Sequence, residues 1–112
     1  MDGTVFAERL FELGDEEVVA RFYTPMPAPG GEFRCRWTIV WPDREQERSV
    51  PGIDGVQALM HAMRCVHTEL AESDAYRSGR LTYLGQSDLD LPPSWALGPL
   101  YTMRPQDRVP RG

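Results

Sequence analysis

The run from Phe33 to Trp41 constrains the fold more than any other part of the chain, because every second residue in it is large and apolar. This period of two is typical of a β-strand with one buried face. The predicted buried face consists of Phe33, Cys35, Trp37, Ile39 and Trp41, and the opposite face of Arg34, Arg36, Thr38 and Val40. A strand with so apolar a face needs another layer to pack against.

Three more strands are predicted around this one. Residues 4–13 and 17–24 are rich in apolar and β-branched side chains, and Gly14-Asp15 between them predicts a hairpin. Residues 24–32 hold three prolines and two glycines and are predicted to form a loop. Residues 45–50 return after a turn as a charged strand, which is expected near a sheet edge. Residues 81–84 could add a short fifth strand.

One long helix follows the fourth predicted strand. Asp54 and Gln57 have the spacing of a capping box, and the helix is expected to end at Ala71 or Ser73. Helical periodicity gathers its apolar side chains into one arc, which we expect to face the sheet. That arc contains Val56, Leu59, Met60, Met63, Val66, His67 and Leu70.

These elements predict an α+β fold. It consists of a mostly antiparallel four-stranded sheet, with a possible short fifth strand, and one long helix packed on one face. We expect a single domain over residues 1–91, followed by a proline-rich tail, 92–112, that docks in part.

Composition limits the function classes. All 12 basic residues are arginine, and 17 acidic residues bring the formal charge to -5, which argues against nucleic-acid binding. No apolar run approaches the roughly 20 residues of a membrane span, and the first thirty residues lack the pattern of a signal peptide. A cytoplasmic protein with no membrane partner is therefore expected.

Two cysteines and two histidines raise the question of a zinc site. His61 and Cys65 are four residues apart on one helix face, but His67 points elsewhere and Cys35 belongs to a strand. This spacing does not match a zinc site, so no metal and no cofactor are predicted. The two thiols are expected to be unpaired.

The same residues are the candidates for catalysis. His61 could serve as a base for a Cys65 nucleophile, but both lie away from the apolar arc, and a solvent-facing pair without chemical consequence is the favoured interpretation. His67 lies within the arc and is interpreted as a core histidine with one hydrogen-bond partner. No catalytic residue is therefore assigned.

The second sheet face contains two candidate binding features. Arg34 and Arg36 could bind an anion, although a cross-strand charge ladder with Glu45 and Glu47 is the favoured interpretation. A single helix leaves this face open, so its apolar side chains and those of the tail are the predicted binding residues: Val19, Tyr23, Val40, Trp95 and Tyr101. We expect a homodimer or a tail folded over the sheet, and the homodimer is preferred.

The segments "FRCRWTIVW", "ERSVPGIDGVQALMHAMRCV" and "GRLTYLGQSDLDLP" resemble a group of small bacterial proteins of unknown function. The resemblance spans residues 33–92. The group shares a helix opening that matches Gly52, Asp54, Gln57, Ala58 and Leu59, and a closing L-T-x-L-G segment. It implies no activity, so no residue acquires a role from it.

Two function classes follow. The first is a non-enzymatic protein-binding module, immunity-like or accessory, and a continuous apolar patch on the open sheet face would favour it. The alternative is a small ligand-binding domain or enzyme that uses His61, Cys65 or His67. A pocket lined by His67, with an arginine at its mouth, would favour the alternative.

Overall fold

The computed structural model describes residues 4–92 and confirms an α+β fold, with an antiparallel sheet packed against one main helix. The elements are β1 (Val5–Leu13), β2 (Glu16–Tyr23), β3 (Met26–Pro27), β4 (Phe33–Val40), β5 (Glu45–Gly52), α1 (Gly55–Ala71), α2 (Asp74–Arg77) and β6 (Leu81–Thr82).

Strand β4 is an interior strand of the sheet, next to the edge strand β5. On one side it pairs with β5 along its whole length; on the other it pairs first with β3 and then with β2. β1 follows β2, and β6 follows β1. The charged strand is therefore at an edge, as expected, and the predicted short fifth strand is present as β6. The prediction of a plain loop over residues 24–32 is wrong, because β3 forms within it and continues the position of β2.

The hairpin between β1 and β2 turns at Gly14-Asp15, as predicted. Gly14 has a φ of 62°, a left-handed conformation that glycine adopts without the steric penalty of a Cβ atom. The register then places Phe11 opposite Val18 and Arg9 opposite Ala20, so these four side chains share the face that packs against the helix.

The predicted buried face of β4 is confirmed, since Cys35, Trp37, Ile39 and Trp41 are all buried and Phe33 packs partly against the core. The rest of the core comes from the neighbouring strands, both helices and the segment after β6. Its buried members are Phe11, Val18, Ala20, Phe22, Ala58, Ala62, Val66, Leu70, Ala75, Leu81, Leu89 and Leu91.

The predicted helix face is only partly correct. Val66 and Leu70 are fully buried, and Leu59 and Met63 pack partly against the core, but Val56 is 68% exposed. The fully buried positions of α1 are Ala58, Ala62, Val66 and Leu70. The helix is thus rotated towards two of its alanines, Ala58 and Ala62, whose small side chains let it lie close to the large aromatic residues of the sheet.

The segment after α2 covers the part of the sheet that α1 does not reach. α1 packs mainly on β4 and β5. Arg9 of β1 donates from Nη1 to the Leu89 carbonyl over 3.1 Å, and its guanidinium lies 4.3 Å from the centre of the Tyr83 ring. Glu12 accepts hydrogen bonds from Thr82 Oγ1 and the Gly85 amide. β1 therefore holds the C-terminal segment in two ways: Arg9 binds it on the helix side of the sheet, and Glu12, which strand alternation places on the opposite face, binds β6 and the turn after it.

The N-cap of α1 agrees with the sequence prediction. Asp54 Oδ1 accepts from the Gln57 amide at 2.8 Å, and Gln57 Oε1 accepts from the Ile53 amide at 2.9 Å. We expect Asp54→Ala to lower the free energy of unfolding by about 1 kcal/mol in urea melts, because a backbone N–H loses its acceptor. Asp54→Asn is the control: asparagine caps as well, so an equal loss in this variant would contradict the assignment.

Candidate functional site

A groove of about 760 Å³ lies between α1 and the edge strand β5. Its helix wall is lined by Gln57, His61, Arg64, Cys65, Thr68 and Glu69. Its strand wall is lined by Arg48, Ser49, Val50, Pro51 and Gly52, with Glu32 and Trp37 contributing nearby. The groove thus contains two of the three catalytic candidates.

The local structure explains why these side chains meet. His61 and Cys65 are four residues apart and share a helix face. Arg48 is directly opposite Trp37 in the register of β4 and β5. Directly opposed residues project from the same sheet face, and Trp37 is part of the buried core. Arg48 therefore projects towards α1, unlike Glu47 and Ser49 beside it in the chain.

His61 is held by the strand across the groove. Its Nδ1 lies 2.9 Å from the Pro51 carbonyl oxygen. A carbonyl oxygen can only accept, so Nδ1 carries a proton, and Nε2 of the neutral ring is left as an acceptor. His61 thereby links the N-terminal half of α1 to the end of β5.

Cys65 differs from the prediction of a solvent-facing thiol. It is half-buried and packs against the core. Burial raises the pKa of the Cys65 thiol; Arg48 and Arg64 oppose this shift and Glu69 adds to it. The thiol is therefore protonated at neutral pH, whereas a cysteine nucleophile requires a lowered pKa.

The charged groups of the groove are unevenly paired. Glu69 Oε1 accepts from Gln46 Nε2 at 2.8 Å, and Glu32 Oε2 accepts from Arg34 Nη1 at 3.0 Å. Arg48 and Arg64 are exposed and form no ion pair with any carboxylate of residues 4–92. Glu69 keeps its negative charge, so in a chain of net charge -5 the groove has a small local excess of positive charge from its two arginines.

His67 lies outside the groove. It is half-buried, burial lowers the pKa of its imidazole, and Asp88 opposes that shift. The predicted core histidine with one hydrogen-bond partner is therefore not found: within residues 4–92 the imidazole forms no hydrogen bond, and Asp88 is a charged neighbour only. The structure therefore brings His61 and Cys65 together and leaves His67 apart. The ligand-binding alternative was expected to show a pocket lined by His67 with an arginine at its mouth. The groove is lined by arginines but not by His67.

The open sheet face carries the predicted binding residues Val19, Tyr23 and Val40, all half-buried. Val19 is paired with Val40 on one side and with Leu10, which is 49% exposed, on the other. These residues form one aliphatic row across three strands. The next row along the strands includes the ion pair between Arg21 and Glu8, so charged groups bound the aliphatic surface.

The arginines of β4 confirm part of the expected charge ladder. Arg36 Nε donates to Glu47 Oε2 at 2.9 Å, and its guanidinium lies over the Tyr23 ring. Arg34, however, bonds to Glu32 and Ser49 and not to a carboxylate of β5. Thr38 lies on this face, as predicted, and is fully buried, although the face itself was expected to be open.

Two of the predicted binding residues, Trp95 and Tyr101, lie outside the described residues, as does the tail beyond Pro92. The homodimer expected from the open face stays a prediction. Within residues 4–92 there is no group of three or more metal-ligating side chains. Cys35 and Cys65 are both free thiols.

The fold and groove define a small α+β protein with a cationic cleft beside a sheet edge. The chain belongs to the family described as a domain of unknown function, DUF6968, whose model matches residues 7–93. Comparisons with curated proteins and with solved structures find no match. None of the helices formed by residues 4–92 has the length and apolar character needed to cross a membrane.

Cys35 gives a prediction of pH dependence. Burial raises the pKa of its thiol from 9.0 to about 11, so the folded state favours the neutral thiol. The contribution to stability is complete below pH 9 and is lost as the pH rises through about 11. Urea melts should show wild-type stability falling more steeply than that of Cys35→Ala across this range. Parallel curves would contradict the prediction.

Proposed function

We propose that the protein is a non-enzymatic protein-binding module whose binding site is the α1–β5 groove. The observation that carries the proposal is the pair of arginines, Arg48 and Arg64, which line the groove and have no carboxylate partner in residues 4–92. Arginine is enriched at protein interfaces, and its planar guanidinium can form several hydrogen bonds at once.

The chemistry of the groove supports binding over catalysis. The Cys65 thiol is kept protonated chiefly by burial. Cys65 also sits in the middle of α1, away from the helix N-terminus that lowers thiol pKa values in reactive cysteines. The proposal includes an accessory or immunity-like role in a bacterial cytoplasm.

A small ligand-binding domain is the second candidate. The observation that favours it is the size of the groove, about 760 Å³, which lies within the range of small-molecule sites. Native mass spectrometry of the purified protein tests this candidate, because a tightly bound small molecule would add a discrete mass that denaturation removes.

Site-specific photo-crosslinking in the native host tests the protein-binding proposal. A benzophenone side chain replaces Thr68, an exposed residue of the groove, or Leu10, an exposed residue of the open sheet face. We expect the Thr68 position to crosslink to a discrete protein and the Leu10 position to give none. Crosslinks from Leu10 alone would move the binding site to the sheet face and overturn the proposal.

A further inference from the structure

Arg48 and Arg64 line the same groove, Arg48 from the strand wall and Arg64 from the helix wall. Both act electrostatically on the Cys65 thiol, and Glu69 does so with the opposite sign, so all three charged groups lie near the same part of the groove. Most other arginines of the described chain are engaged by neighbouring groups. Those with hydrogen bonds are Arg9, Arg21, Arg34, Arg36, Arg44 and Arg80.

The acidic groups that line the groove offset this charge only in part. Glu32 is paired with Arg34, whereas Glu69 accepts from the neutral amide of Gln46 and keeps its negative charge, so the two guanidinium groups outnumber the one carboxylate that lacks a cationic partner. A ligand entering the groove therefore meets two guanidinium groups that have no carboxylate partner in residues 4–92. The guanidinium fork matches the two oxygens of a carboxylate, so the charge and geometry both favour an anionic ligand.

The shape of the groove favours a chain-like ligand. The groove extends along α1 from Gln57 to Glu69, which at 1.5 Å per residue is about 18 Å. An extended peptide of about five or six residues spans the same length. A single small carboxylate would occupy only the part between the two arginines.

The strand wall limits how such a peptide can be held. Pro51 has no N–H, its carbonyl accepts from His61, and the Ser49 carbonyl accepts from Arg34 Nη2 at 3.1 Å. Main-chain pairing along this part of β5 is therefore restricted, although free strand edges commonly recruit peptides in that way. Recognition here depends on side chains.

The two arginines, the length of the groove and the restricted main-chain pairing along β5 lead to one inference. We propose that the groove binds an acidic peptide segment of a partner protein, whose carboxylates are bound by Arg48 and Arg64. This inference rests on the proposed function of the same groove and specifies the chemistry of the partner.

The test is an NMR titration of the full-length protein, with the amide signals of β5 and α1 as the readout. The probe is an acetylated and amidated pentaglutamate peptide, and the matched probe is the corresponding pentaglutamine peptide. We expect pentaglutamate to shift signals along the groove and to bind at least tenfold more tightly than pentaglutamine. The affinity should fall as salt rises, because the contacts are between charges.

Matched variants separate the groove from the overall charge. Arg48→Ala/Arg64→Ala should weaken pentaglutamate binding about tenfold or more. Arg77→Ala/Arg80→Ala removes the same charge outside the groove and should change the affinity less than twofold. Equal losses in the two double variants, or equal binding of the two peptides, would overturn the inference.

Glutarate and inorganic phosphate form the remaining arms of the titration. If either binds as tightly as pentaglutamate, the site is a small-anion site and the peptide inference is wrong. A Thr68 crosslink to a protein together with no pentaglutamate binding would retain the proposed function and reject only the acidic chemistry.

Discussion

Gly52→Ala is expected to lower the free energy of unfolding by about 3 kcal/mol, since it forces atoms into space that backbone already fills. A Cβ atom at Gly52 would lie 2.3 Å from the Ala58 nitrogen and 2.7 Å from its Cα. Neither atom belongs to a side chain that can rotate away, so the end of β5 and the first turn of α1 would have to separate.

Urea denaturation measures this effect, with Gly30→Ala as the control. Gly30 has no heavy atom within 4 Å of the added Cβ position, so that variant should stay within about 0.5 kcal/mol of wild type. Unchanged stability in Gly52→Ala would mean that the helix does not rest on the strand end as described.

Leu70→Ala is expected to lower the free energy of unfolding by about 2 to 5 kcal/mol, because it leaves a cavity in a packed core. The Leu70 side chain is fully buried on the face of α1 that contacts the sheet. The same urea melts measure this loss.

Val56→Ala is the matched control on the same helix. Val56 is 68% exposed, so its truncation should change stability by no more than about 0.5 kcal/mol. A large loss at Val56 would support the helix face predicted from the sequence and contradict the observed rotation.

The main elements of the fold could be predicted because their signals are local. The alternation of β4, the Gly14-Asp15 turn and the Asp54 cap depend on neighbours in sequence, and the structure contains each. The helix face could not be predicted as well. Hydrophobicity ranks valine above alanine, but close packing against large aromatic residues requires the small side chains of Ala58 and Ala62.

The residues that line the groove were harder to predict from the sequence. The spacing of His61 and Cys65 correctly placed them on one helix face, but not against the edge strand. The side to which Arg48 points depends on the register of β5 with β4, which is set by the folded sheet. A one-residue shift would turn this arginine to the opposite face. The arginine pair therefore emerges only in three dimensions.

The bond between Arg9 and Leu89 joins residues 80 positions apart in the chain. During synthesis on the ribosome, β1 emerges early, but the segment that covers its apolar side is among the last described parts to be made. Contacts between residues so far apart in sequence form slowly during folding. Until they form, the exposed apolar surface of the strand can bind to other unfolded chains and aggregate. The core can therefore be completed only after the segment with Leu89 and Leu91 has been made, and until then the apolar face of the N-terminal hairpin lacks part of its cover.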